Sequence, residues 1–476
     1  MAEETSVRVG RWRPFDILSP GAWIILVIAV VSTVVVNAWP VPEHDGVELW
    51  TFSRNHSDLY QRLAAESRAD PGTDPLDVFT IDGVALQRRT LSGFWSGTPL
   101  ADLIEVERSM MGNFVMGPLE DIGFTDLTDR LQQEGLDEEI NPASFSPWMS
   151  RGRIFGLPHD VHPVLLCYRS DLVEAAGIDV SRIETWADFE REMRPLLADL
   201  DGDGRNDRFL LNLWHTRIDE IEPLLLQAGG GTFNEDDELI VDCDENVRVV
   251  AQSVAWMVGP NRIAIDAPNF DPSGNQLRLE GKVICQIMPD WLGGVFRQDL
   301  PALSGKLKLM PLPAWEAGGR RTSVWGGTML GIPKATEDFE RAWAKAKDLY
   351  LSPELAERLF RNSMLISPVT SFWDSAFYQE PVEYFSGQKA GTLFIEQAPH
   401  VPFRSSNPYH TMARGRIGEA VTTLYRDAES GRLGPVADLT AEKLEPRARE
   451  LLEEAATLVR REMSRNVFLA EEATRE

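Results

Sequence analysis

The chain of 476 residues is longer than one hydrophobic core usually supports, so two domains are expected. Its 43% apolar content, with 14 Trp, excludes a disordered chain and supplies material for large cores. A net charge of −27 opposes association with nucleic acid or an anionic lipid surface, and the three cysteines match no metal-binding spacing.

The first feature along the chain is an apolar run at residues 23–36, preceded by Arg8, Arg11 and Arg13 and followed by Trp39 and a proline-rich stretch. Taken over 17–39, it approaches the roughly 20 residues that cross a bilayer, which suits a transmembrane anchor. Val36-Asn37-Ala38 is an imperfect small-residue cleavage site, so a signal peptide is the competing reading. Arginines ahead of the run assign residues 1–16 to the cytoplasm and send the rest outward. The expected location is the cell membrane, as a single-pass protein with its bulk extracytoplasmic (periplasmic). No Cys follows the run, which argues against a lipid anchor.

From residue 47 the pattern alternates strands and helices. Strands are predicted at 47–52, 76–81 and 102–106, with helices at 59–67 and 85–94 between them. This βαβαβ order implies a mostly parallel sheet covered by helices on both faces. Ligands on such sheets collect at the carboxyl ends of the strands, which singles out Asn55 and His56 after the first strand, Asp82 after the second, and Glu107, Arg108 and Ser109 after the third.

A second α/β stretch follows. Thr185, with Asp188 three residues later, reads as a helix N-cap. Trp214 follows a predicted strand at 209–213 and is a candidate by the same strand-end rule. A strand at 281–288 leads into Trp291, beside Gly293-Gly294, and Trp325 precedes Gly326-Gly327. The glycines permit close approach to a bound molecule, and a Trp offers a flat apolar face beside them. Cys167 and Cys285 lie in apolar runs and read as core thiols.

Residues 199–207 carry an independent motif. Asp199, Asp201, Asp203, the Arg205 carbonyl and Asp207 match positions 1, 3, 5, 7 and 9 of a calcium loop, with Gly204 at position 6. Position 12 is Leu210 rather than Glu, and Glu220 and Glu222 are the candidate replacements. A structural Ca²⁺ is one reading and a solvated Asp-Gly turn the other; no cofactor is required by either.

Several pieces stand in an informative order: Val47-Glu48-Leu49-Trp50-Thr51-Phe52, Ser96-Gly97-Thr98-Pro99-Leu100, Gly156-Leu157-Pro158, Thr185-Trp186-Ala187-Asp188-Phe189, Gly229-Gly230-Gly231, Gly281-Lys282-Val283 and Trp325-Gly326-Gly327. In that order the chain resembles the family 1 extracellular solute-binding proteins of ABC transporters, the carbohydrate-binding group that includes maltose-binding protein. The resemblance implies a two-lobe α/β fold of the periplasmic-binding-protein type, with hinge crossovers and a cleft that closes around its ligand. Mapped here, lobe 1 is 47–158 plus 331–366, lobe 2 is 159–330 plus 367–430, and 431–476 is a C-terminal helix and tail.

The resemblance also implies site residues: His159 and Asp160 at the crossover, Trp291, Trp325, Gly326 and Gly327 facing the ligand, Trp373 in the loop after the hinge, and Arg404 as a fork of donors. It implies capture of a sugar or oligosaccharide, taken as neutral, and delivery to ABC-transporter permease subunits without chemistry. The alternatives are a membrane-tethered glycan-acting enzyme, which needs a carboxylate pair across one bond, and a ligand-sensing module on the same fold.

Overall fold

The computed structural model describes residues 19–38, 45–69, 72 and 74–466. Two compact units are separated after Asp45. The first holds the helix Pro20–Ala38, along which Ile24, Ile25, Ile28 and Val34 are exposed. No helix among the described residues is long and apolar enough to cross a membrane. The predicted span of 17–39 runs beyond the described residues at both ends, and the predicted cytoplasmic segment 1–16 lies outside them.

The second unit is built on two five-stranded sheets. The first contains β1 (Val47–Thr51), β2 (Leu76–Thr80) and β3 (Leu103–Glu107), parallel to one another in the order β2-β1-β3. A small hairpin follows, of β4 (Met149–Ser150) and β5 (Arg153–Ile154). The short β6 (Leu157–Pro158) then closes the first sheet beyond β12 (Thr328–Gly331), which runs antiparallel to both β3 and β6.

The second sheet has the order β11-β7-β10-β8-β9, from β7 (Val164–Arg169), β8 (Phe209–Asn212), β9 (Ala264–Ile265), β10 (Val283–Pro289) and β11 (Leu307–Pro311). Every residue of β7 and β10 is buried, which explains why they read as continuous apolar runs rather than alternating ones: helices cover both faces. Cys167 and Cys285 lie on these paired strands as buried free thiols.

Local signals account for the element ends. The Thr185 hydroxyl accepts from the Asp188 amide at 3.1 Å, and the Asp188 carboxylate accepts from the Thr185 amide at 3.0 Å, a reciprocal cap of the helix Trp186–Met193. The last helix, Ala441–Met463, buries Leu444, Ala448, Leu451, Leu452, Ala455 and Val459 at helical spacing. That face joins the second sheet's core with the helices Asp244–Met257 and His410–Glu429, so the segment predicted as a separate tail is part of lobe 2 as far as it is described.

One predicted boundary shifts. The return to lobe 1 was placed at 331, but Thr328, Met329 and Leu330 already pair with β3, so the crossing occurs at 324–327. Gly326 and Gly327 have φ of +93° and +132°, backbone that an L side chain resists, and this lets the chain turn between sheets there.

Candidate functional site

A cleft of about 1090 Å³ opens between the two sheets. Its walls are the segments that leave the carboxyl ends of strands: Asn55 and His56 after β1, Glu107 and Arg108 at the end of β3, Trp291 after β10. This is where an open α/β sheet presents its loop ends.

Aromatic planes form one wall. Phe270 lies parallel to Trp291, with ring centres 6.0 Å apart and 3° between planes, and Trp325 meets Trp291 edge-on at 5.7 Å. The Trp291 indole N–H donates to the Trp325 carbonyl at 2.8 Å, which fixes the ring. A Cβ at Gly326 would come within 2.8 Å of that same indole nitrogen, so the glycine is needed for Trp291 to sit there. Phe270 is 66% exposed, an uncommon state for a large apolar ring.

Beneath the cleft runs a chain of buried ionisable groups through the crossings. Glu105 on β3 accepts from Tyr350 Oη at 2.8 Å and Tyr60 Oη at 3.2 Å, with His56 Nδ1 at 3.0 Å and the Thr51 hydroxyl also bonded. Burial pushes the Glu105 carboxyl up, but His56, His159 and the Thr51 hydroxyl outweigh it and hold the group down at about 2. His159 Nε2 is 3.1 Å from Tyr60 Oη, and its Nδ1 is 3.0 Å from Asp160. Asp160 lies 2.7 Å from His162 Nε2, and Asp290 lies 2.6 Å from His162 Nδ1. Burial works against a charge on His162, but the two flanking carboxylates prevail and raise it to about 9. Asp290 also accepts from the Ile366 amide at 2.9 Å, so the chain ties together residues 159–163, the start of the helix Asp290–Asp299 and the segment at 366.

His56, Glu105 and His159 place ligand-type atoms within 4.8 Å of one another. The Glu105 oxygens are already taken by four protein groups, so the trio is a satisfied hydrogen-bond cluster rather than an open metal set.

The structure sorts the predicted residues. Asn55, His56, Glu107, Trp291, Trp325, Gly326, Gly327 and Arg404 line the cleft. His159 and Asp160 do not, because both are buried one layer below, spent on Tyr60 and His162. Trp214 is not in the lining either: it packs on the core of lobe 2, 5.4 Å from the Tyr425 ring. Trp373 is likewise absent from the lining, since its indole donates to the Ser367 carbonyl at 2.9 Å and packs on the core.

The cleft also holds residues that the sequence did not single out. Phe270 sits in an irregular loop with φ +61°. Glu220 lines the cleft with one carboxyl oxygen buried and unpartnered, and burial raises it to about 8.

In the 199–207 turn, Asp199, Asp201 and Asp207 converge within 4.8 Å. All four carboxylates also accept backbone amides of the turn, Asp203 from Arg205 at 2.8 Å, Asp201 from Asp203 at 3.1 Å, Asp199 from Gly204 at 2.8 Å and Asp207 from Leu200 at 3.0 Å. Leu210 is buried in β8, and the suggested replacements Glu220 and Glu222 line the cleft, with Glu222 bonded to Arg414 at 2.6 Å.

A family model described as bacterial extracellular solute-binding protein matches residues 97–354. An arabinooligosaccharide-binding protein of Halalkalibacterium halodurans is 25% identical over 341 residues, covering 71% of this chain and 74% of its own. A protein of the same name from Bacillus subtilis is 24% identical over 332 residues, covering 67% and 73%. Among solved structures, the sugar-binding protein MalE from Xanthomonas citri superimposes with a TM-score of 0.66 at 17% identity, over 87% of this chain and 98% of that one.

The buried relay makes stability depend on pH. His162 has a folded value above its unfolded one, so its contribution is full below about 6.5 and is lost as pH rises through about 9. Glu105 is depressed, so its contribution is present above its ordinary value and is lost as pH falls through about 2. Urea unfolding of the full chain across pH is expected to show stability declining between about pH 7 and 9, more shallowly in His162→Gln. An identical slope in the two proteins would assign the decline elsewhere.

Proposed function

The chain belongs to the bacterial extracellular solute-binding proteins, and on that premise we propose that it captures a saccharide in the cleft and passes it unaltered to an ABC-transporter permease. The observation that carries this reading is the wall of Phe270, Trp291 and Trp325, facing donors and acceptors on the ends of β1 and β3. A pyranose presents an apolar C–H face and a rim of hydroxyls, and the cleft offers a counterpart to each. The similarity to two arabinooligosaccharide-binding proteins supports the class of ligand.

Closure around the ligand follows from the way the lobes are joined. Three segments cross between the sheets side by side: Val161 donates to the Ile366 carbonyl at 3.2 Å, and Val164 to the Ser323 carbonyl at 3.1 Å. Adjacent crossings permit bending and resist twisting, the mechanics of a hinge. Ligand contact with both walls would then shift the population toward the closed form.

Calorimetry with a panel of mono- and oligosaccharides is expected to find binding by the full chain, with no product on chromatography. Product formation would move the assignment to a glycan-acting enzyme. Phe270→Ala is expected to weaken binding by about 1–2 kcal/mol while leaving the melting temperature nearly unchanged, since the ring is exposed in the free protein. Unchanged affinity would remove Phe270 from the site.

We also propose that the amino-terminal helix anchors the protein. The helix lies inside the longer apolar segment 17–39, which approaches the roughly 20 residues that cross a bilayer, and its exposed isoleucines and valines favour lipid over water. The expected result is that the full chain stays with membranes after alkaline carbonate washing and keeps its residue 1–38 segment by mass spectrometry. A mature chain starting near residue 39 would establish a cleaved signal instead.

The 199–207 turn is proposed as a calcium site of the weak extracellular kind, on the strength of its three converging carboxylates. About 1 mM Ca²⁺ is expected to raise the melting temperature by a few degrees over that in chelator. Equal melting temperatures would leave it a solvated turn.

A further inference from the structure

We propose that the cleft is built for a saccharide carrying an acidic group, which the paired guanidiniums of Arg108 and Arg404 clamp; this rests on the saccharide reading above and revises the expectation of a neutral ligand. Both arginines line the cleft, and both are nearly closed off from solvent, at 7% and 6% exposure.

An arginine carries five donors and a charge that proteins do not remove, so a buried one normally has a carboxylate opposite it. Two other cleft arginines follow that rule: Arg414 pairs with Glu222 and Asp219, and Arg217 with Asp266 at 2.6 Å. Arg108 and Arg404 do not. The Arg108 guanidinium donates only to the Ser405 carbonyl, and that of Arg404 only to the Gly326 carbonyl. Each leaves a buried Nε with no acceptor, and neither forms an ion pair with the described residues. Glu107, the neighbouring carboxylate, accepts instead from the amide and hydroxyl of Ser109.

Carboxylates act on both arginines at longer range, Glu222 and Glu107 on Arg108, and Asp160, Glu222 and Glu107 on Arg404, but among the described residues none forms an ion pair with them. His410 is held well below its usual value by burial and then by Arg108, Arg414 and Arg404, so it stays neutral beside them. The backbone is also adapted to this arrangement, since a Cβ at Gly327 would sit 3.0 Å from Arg404 Nη1. The missing partner is therefore a planar or tetrahedral anion with several acceptor oxygens. A uronic-acid carboxylate and a sugar phosphate share that chemistry, and both match a guanidinium fork.

The test is calorimetry on the full chain with ligand pairs that differ only in the acidic group: galacturonate oligomers against galactose oligomers, glucuronosyl-xylotriose against xylotriose, and a hexose phosphate against the hexose. The acidic member is expected to bind at least about tenfold more tightly, with the margin shrinking as NaCl rises from about 0.02 to about 0.5 M. In Arg404→Gln the margin is expected to fall to near one. The oligomer and phosphate arms separate the two sources of the anion, and preference in either supports the clamp. A neutral sugar that binds as tightly as its acidic counterpart overturns this inference and leaves saccharide capture standing; failure of every sugar to bind overturns both. Arg108→Gln and Arg404→Gln proteins that melt cooperatively yet keep the acidic preference would also overturn the clamp, and the salt dependence of the unaltered chain reads the same property without any variant.

Discussion

The charge on His162 is the interaction on which the rest of the structure depends. It sits between Asp160 and Asp290, 128 residues away from the second of them, and so binds the first crossing to the helix behind Trp291. Removing the imidazole would leave two carboxylates in a dry interior with their common cation gone, a far larger penalty than losing an exposed pair. His162 itself has φ +57°, a costly conformation for a residue with a Cβ. Such backbone persists only where the surroundings over-determine it, and two short carboxylate contacts do that here.

From this fixed point the cleft can be built outward. Asp290 positions Trp291 through its backbone amide at 2.7 Å, and Trp291 reaches the Trp325 carbonyl. The next carbonyl, that of Gly326, receives Arg404, whose guanidinium rests against Gly327. The buried ion relay, the aromatic wall and the cleft arginine Arg404 are thus linked by successive contacts rather than being separate decorations of two lobes.

How much of this was legible in the sequence follows from what each signal encodes. The βαβαβ order and the strand-end rule located Asn55, His56 and Glu107, because the direction of a parallel strand is enough to say which loops share an edge. The same rule fails for Trp214, since it gives the end of a strand but not the direction of a side chain, and Tyr425 on the helix His410–Glu429 supplies a packing surface that only the tertiary fold reveals. His159 and Asp160 were placed one layer too high for a related reason: a crossover motif marks where the chain passes, and burial decides which of its residues face the ligand. Phe270 has no periodic neighbourhood to mark it. Arg108 could be read off the chain, but that it lacks a carboxylate partner is a statement about every acid nearby in space.

The distribution of charge ties these points together. A chain with a net charge of −27 repels anions at long range, so an unpaired cationic pair inside it is not a continuation of its surface field. At physiological ionic strength that repulsion fades beyond about 8 Å, whereas a desolvated guanidinium in a partly closed cleft is screened far less. An anion in the cleft would therefore be held by contacts made after entry, and Arg404 makes its contact on the segment that joins the lobes. A group that satisfies Arg404 also acts on the hinge, so recognition of the ligand and the position of the lobes share one set of atoms.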